Sequence, residues 1–168
     1  MVLKIILSFI GVIILDNTSF AQSECACCTP SHRQFDFWIG EWLVYDTLGN
    51  RIGRSSIKLL EDHCLVSEHW KGDSGVTGRS FNYFNVMDST WNQIWIDNQG
   101  NHLVLKGKGR EGEMVLYGQG PLNNSGPSQK HRITWTALSN GKVSQIWEIL
   151  DENGNVKKMI FKGLYQGK

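Results

Sequence analysis

TGRSFNYFNVMDSTWNQIWIDNQGNHLVLKGKGREGEMVLYG, residues 77–118, alternates two kinds of text. Runs rich in β-branched and aromatic residues (77–84, 91–97, 102–107 and 114–118) are separated by Met87-Asp88-Ser89, Asn98-Gln99-Gly100-Asn101 and Arg110-Glu111-Gly112. The runs have strand length and composition, and the separators are rich in residues that reach left-handed backbone cheaply. Connections this short cannot make a crossover, so successive runs pair antiparallel.

The same alternation extends both ways. Further runs lie at 42–45, 52–60, 64–70, 131–138, 143–150 and 156–165, with turns at Leu48-Gly49-Asn50, Glu61-Asp62-His63, Gly72-Asp73-Ser74-Gly75, Ser139-Asn140-Gly141 and Glu152-Asn153-Gly154-Asn155. A longer Gly, Pro, Asn and Ser-rich connection covers 119–129, and Gly107-Lys108-Gly109 is placed at a hairpin. Eight short turns and this connection predict about ten strands in an up-and-down antiparallel meander. An open sheet of that size leaves two unpaired edges, which closure into a barrel removes, and a barrel of eight to ten strands has room for a cavity. A β-sandwich is the competing all-β arrangement, but it usually uses longer crossovers.

Upstream of the first strand stands QFDFWIGEW, Gln34 to Trp42. A short helical turn around residues 35–39 carries Phe35, Phe37 and Trp38, and Gly40 leads into strand one. An aromatic plug over one barrel end, with Trp42 against its floor, is the expected arrangement. Phe35-Asp36 followed by Gly40-x-Trp42 resembles the first signature of the lipocalins and wider calycin barrels, with a shorter spacing from Phe-Asp to Gly. The F-W-x-G-x-W of Phe37 to Trp42, the later Gln-x-Trp strands and Phe161-x-Gly163-x-Tyr165 are similar to a family of exported bacterial proteins of unknown function. That resemblance covers nearly the whole mature chain and implies a calycin-like barrel; it brings no catalytic residues.

The 168 residues divide into three parts. Lys4, an apolar stretch over residues 5–15 and the small-x-small step Ser19-Phe20-Ala21 predict a signal peptide at 1–21, hence an exported protein, periplasmic or secreted. Ala21-Gln22-Ser23-Glu24 is a poor approach for lipidation at Cys25, and no second long apolar run follows. A Cys-rich leader (22–34) then precedes the calycin-like barrel domain (35–168).

In an exported chain, Cys64 is expected to form a disulfide with one of Cys25, Cys27 or Cys28, with a second pair or free thiols left in the cluster. A metal or redox centre is set aside because Cys25-Ala26-Cys27-Cys28, read as C-x-C-C, lacks the usual C-x-x-C spacing. Net charge is +1, from 17 Lys and Arg against 16 Asp and Glu without charged blocks. Nothing there favours nucleic acid or an anionic membrane surface.

The chemistry candidates come from a recurrence. Glu68-His69-Trp70, Gln93-Ile94-Trp95 and Gln145-Ile146-Trp147 place a carboxylate or amide two residues before an indole. A strand has period two, so each pair shares a face. Facing inward, the pairs line a cavity with stacking and hydrogen-bonding groups; facing outward, they make an apolar patch that calls for a partner. Asn82 and Ser80 share one face of strand four, and Arg132 is a candidate for Glu68 or an acidic ligand group. Asp97 is assigned to turn chemistry.

No H-x-H or H-E-x-x-H occurs, so no metal is predicted, and haem through His69 or His131 is the one cofactor alternative. The first expectation is therefore a barrel binding a small amphiphilic or aromatic ligand through Glu68, Trp70, Asn82, Gln93, Trp95, Arg132, Gln145 and Trp147. A barrel enzyme with Glu68 as general acid or base on a small hydrophobic or sugar-like substrate is the second. A packed structural or partner-binding barrel is the third.

Overall fold

A computed structural model describes residues 25–121 and 126–168; the signal-peptide reading, the first part of the leader and the centre of the 119–129 connection lie outside the described residues. Two 3-10 turns, Pro30–Arg33 and Asp36–Trp38, precede ten strands. These are β1 Gly40–Tyr45, β2 Arg51–Leu60, β3 Leu65–Gly72, β4 Thr77–Asn85, β5 Thr90–Asp97, β6 His102–Arg110, β7 Glu113–Pro121, β8 Ser128–Ala137, β9 Val143–Leu150 and β10 Val156–Gly167. Each strand pairs antiparallel with its sequence neighbour, and β10 pairs with β1 through Trp42 opposite Gly167 and Val44 opposite Tyr165. The expected ten-stranded, all-β, up-and-down barrel is therefore closed, and among the described residues no strand edge is left open.

Several strands run past their expected ends. Gly107 to Gly109 lies inside β6, not at a hairpin, because the turn needs only Glu111 and a left-handed Gly112 at φ 71°. A β-carbon on Gly107 would stand 2.0 Å from the carbonyl oxygen of Val115, so this glycine serves close strand approach.

Three turns at the same end of the barrel repeat one device. Asp46, Asp97 and Asp151 each begin an Asp-x-x-Gly-Asn sequence, and each accepts the backbone N–H of the Asn four residues on at 2.8 to 2.9 Å. The Asn side chain donates back to the same carboxylate. These bonds, with the backbone N–H groups of the turn, hold the carboxyls of Asp46 and Asp151 below the usual range. The aspartates are turn makers, as expected for Asp97.

The opposite end is filled. Phe35 and Trp38 are fully buried and stack at 4.9 Å, with Trp135 edge-on to Phe35 at 5.2 Å and Trp91 at 5.6 Å. Met114, Leu105, Leu116 and Val44 belong to the same buried core cluster. The Trp42 indole donates to the Trp38 carbonyl at 2.9 Å, and the Trp91 indole donates to Gln34 Oε1 at 3.1 Å. The turn from plug to wall runs through Gly40 at φ 149°, outside the ordinary range of a side-chain-bearing residue. QFDFWIGEW is thus the floor of the barrel.

Two disulfides hold the leader: Cys27–Cys64 and Cys25–Cys28. The first fulfils the expected link from Cys64 to the cluster. It spans 37 residues and, by loop-closure entropy, contributes about 4 kcal/mol. The second spans three residues and contributes about half that on the same reckoning. Fastening of the plug to the wall therefore rests mainly on Cys27–Cys64.

Candidate ligand cavity

Above the floor the lumen is open, with a cavity of about 650 Å³. That is the size range of small-molecule sites. Its mouth is set by Arg51, Asp73, Ser74, Val76 and Asp97, at the end of the barrel away from the plug. Its walls are Trp70, Trp95, Trp135, Trp147 and Phe161 with Leu103 and Ile133, and Glu68, Gln93, Gln145 and Tyr165 are its deeper polar groups. All three polar-x-Trp pairs point inward, which settles the choice of face.

Pairing geometry explains how the rings become walls. A β-carbon at Gly78 would lie 2.3 Å from the Trp95 ring, one at Gly53 2.6 Å from Trp70, and one at Gly163 2.6 Å from Phe161. Each ring lies across a bare patch of backbone and leaves the centre of the lumen clear. Trp147 is oriented differently. Its indole donates to His131 Nδ1 at 3.0 Å, and His131 Nε2 donates to the Gly120 carbonyl at 3.0 Å. An indole can only donate, so Nδ1 carries no proton in this arrangement.

The polar residues form a connected chain. Ser55 donates to Glu68 Oε1 at 2.8 Å and Ser80 donates to Oε2 at 3.2 Å. Asn82 donates to Ser80 Oγ at 3.1 Å and to the Val66 carbonyl at 2.8 Å, and Gln93 donates to Asn82 Oδ1 at 2.6 Å. Ser55, Glu68, Ser80, Asn82 and Gln93 are all buried. Burial pushes the Glu68 carboxyl up to about 7, with the two serine hydroxyls opposing in part. No cation counters it there: Arg51, the one basic side chain among the described lining residues, sits at the mouth and pairs with Asp73 at 2.9 Å. On β10, Tyr165 donates to Gln145 Oε1, and burial together with the nearby Glu68 carboxyl pushes its phenol well up.

Of the expected site residues, Glu68, Trp70, Gln93, Trp95, Gln145 and Trp147 line the cavity, and Asn82 stands behind Gln93 and Ser80. Arg132 does not join them. Its neighbours His131 and Ile133 point inward, so Arg132 points outward and binds Glu148 with both Nε and Nη2, at 3.0 and 2.8 Å. Strand parity puts it on the outer face of the wall, whereas Glu68 faces the lumen.

The histidines offered for haem are placed elsewhere too. His131 is fully buried with both nitrogens engaged, and His69 is on the outer face, 3.4 Å from Arg79, where burial and then Arg79, Lys71 and Arg54 lower its pKa. Neither lines the cavity. Sequence reasoning missed Ser55, Trp135, Phe161 and Tyr165. Phe161-x-Gly163-x-Tyr165 carried the same parity signal in the sequence.

The C-x-x-C spacing of a redox pair is present after all. Cys25 and Cys28 are three residues apart, a C-x-x-C with Cys27 inside it, and they are bonded to each other.

Fold and site together define a closed barrel, floored at one end and open at the other, with an aromatic lumen and, among the described residues, the buried carboxyl of Glu68. No family model matches the chain, and no curated protein matches it.

Proposed function

We propose that the barrel binds a small, neutral, planar amphiphile in its lumen. The observation that carries this reading is the aromatic-walled cavity of about 650 Å³ with a buried hydrogen-bonding chain on one side. Trp70, Trp95, Trp147 and Phe161 supply stacking surface, while Gln93, Gln145 and Glu68 orient a polar group. An anionic head group finds no buried cation among the described lining residues, which favours a neutral ligand. Two disulfides and the signal-like N-terminus support an exported carrier or receptor working in an oxidising compartment.

The test is a calorimetric titration with 2-naphthol as a neutral aromatic probe. The parent should bind it, and Gln93→Leu/Gln145→Leu should weaken binding by about tenfold while the barrel stays folded. Equal binding by the double variant would remove the polar roles assigned to these amides.

One observation favours an enzymatic second reading: a lumenal carboxyl near 7 is poised as a general acid or base at neutral pH. On that reading Glu68→Gln abolishes turnover of a bound compound. The packed-barrel alternative calls for a filled lumen, and the cavity weighs against it.

A further inference from the structure

A second chemical site lies on the outside of the closed end. Cys25, Cys28 and His63 are exposed residues, and His63 Nδ1 is 3.3 Å from Cys28 Sγ and 3.8 Å from Cys25 Sγ. His63 sits in an unusual turn, where Glu61, Asp62 and His63 are all left-handed at φ 49°, 47° and 74°. None of the three is a glycine, so the conformation is held by its surroundings. The adjoining Cys64 is bonded to Cys27, and Arg33 Nη2 donates to the His63 carbonyl at 2.6 Å. The turn thus presents an imidazole to a C-x-x-C disulfide formed by two exposed residues.

We propose that Cys25–Cys28 is a thiol–disulfide exchange site whose reaction partner is an external thiol, either a small molecule or a protein dithiol. The incoming thiolate attacks Cys25 Sγ. A bond forms between the two sulfurs as the Cys25–Cys28 bond breaks, and Cys28 leaves with the bonding pair as a thiolate, where His63 Nδ1–H donates to it. A second thiol then attacks the mixed disulfide at the incoming sulfur, releasing the external disulfide and Cys25. Two external thiols are oxidised and the cysteine pair is reduced; the reverse sequence transfers the oxidation outward. A stabilised leaving thiolate speeds exchange. Cys27–Cys64 keeps the leader in place throughout.

The test is graded reduction of the oxidised protein with dithiothreitol, quenched by alkylation and mapped by mass spectrometry. Cys25 and Cys28 should label first, with Cys27–Cys64 intact and the circular dichroism unchanged. His63→Asn, a residue that tolerates left-handed backbone, should slow this first step by about tenfold. Cys28→Ser should accumulate a stable mixed disulfide on Cys25 with glutathione disulfide. Cys25→Ala/Cys28→Ala controls for folding and should keep the barrel's spectrum. Simultaneous loss of both disulfides, or equal rates for the parent and His63→Asn, would overturn the proposal.

Discussion

Trp38→Ala is expected to cost about 3 to 4 kcal/mol of stability and to lower the melting temperature by about 10 °C. Trp38 is fully buried, packed on Phe35 at 4.9 Å and Trp135 at 5.3 Å, so truncation opens a cavity where plug meets wall. Two features keep the loss below the upper end for a buried tryptophan. The carbonyl that accepts the Trp42 indole is backbone and survives, and the Trp38 indole N–H is itself buried without an acceptor among the described residues, so removing it relieves a desolvated donor. Trp38→Phe should lose less than half as much. Urea unfolding of both variants is the check; a cost under about 1 kcal/mol for the alanine would mean the plug is not a structural floor.

The second large effect is a pH dependence of stability caused by Glu68. Its carboxyl titrates near 4.5 in the unfolded chain and at about 7 when buried, so across that interval the folded barrel keeps a proton the unfolded chain has lost. The stability gained from this difference is fully present below pH 4.5, drains away as the pH rises to about 7, and is absent above. Its size is about 3 kcal/mol. Glu68→Gln keeps the shape and cannot ionise. Relative to the parent, the variant should therefore gain stability steadily from pH 4.5 to 7, and the two curves should run parallel outside that window. Urea midpoints of both proteins over pH 4 to 8 measure this directly, and other titrating groups cancel in the difference. Parallel curves throughout would show that Glu68 is hydrated or compensated in the folded protein.

The ten strands were legible because turns such as Asn98-Gln99-Gly100-Asn101 punctuate a period-two pattern, and both signals are local. The plug was legible for a similar reason, since three aromatics before Gly40 have no place in an outer wall. The site was legible only as parity. Glu68 and Trp70 share a face on any strand, but which face is interior depends on closure and register, which are non-local. Arg132 shows the limit: its partner Glu148 is 16 residues away, and only the pairing of β8 with β9 brings them opposite. Phe161 shows another, because β10 slips register against β9 between Met159 and Phe161. The C-x-x-C was present in the sequence and was obscured by Cys27 standing inside it. What the sequence did not carry was His63, brought to the sulfurs by the turn after β2.

The most direct test of a ligand-holding lumen is native mass spectrometry of the chain purified from the host that makes it, compared with the same sample denatured. A reproducible extra mass of a small molecule, lost on denaturation and reduced in Gln93→Leu/Gln145→Leu, is the predicted result. A bare mass in every preparation, together with no uptake of 2-naphthol by the native protein, would contradict the binding function.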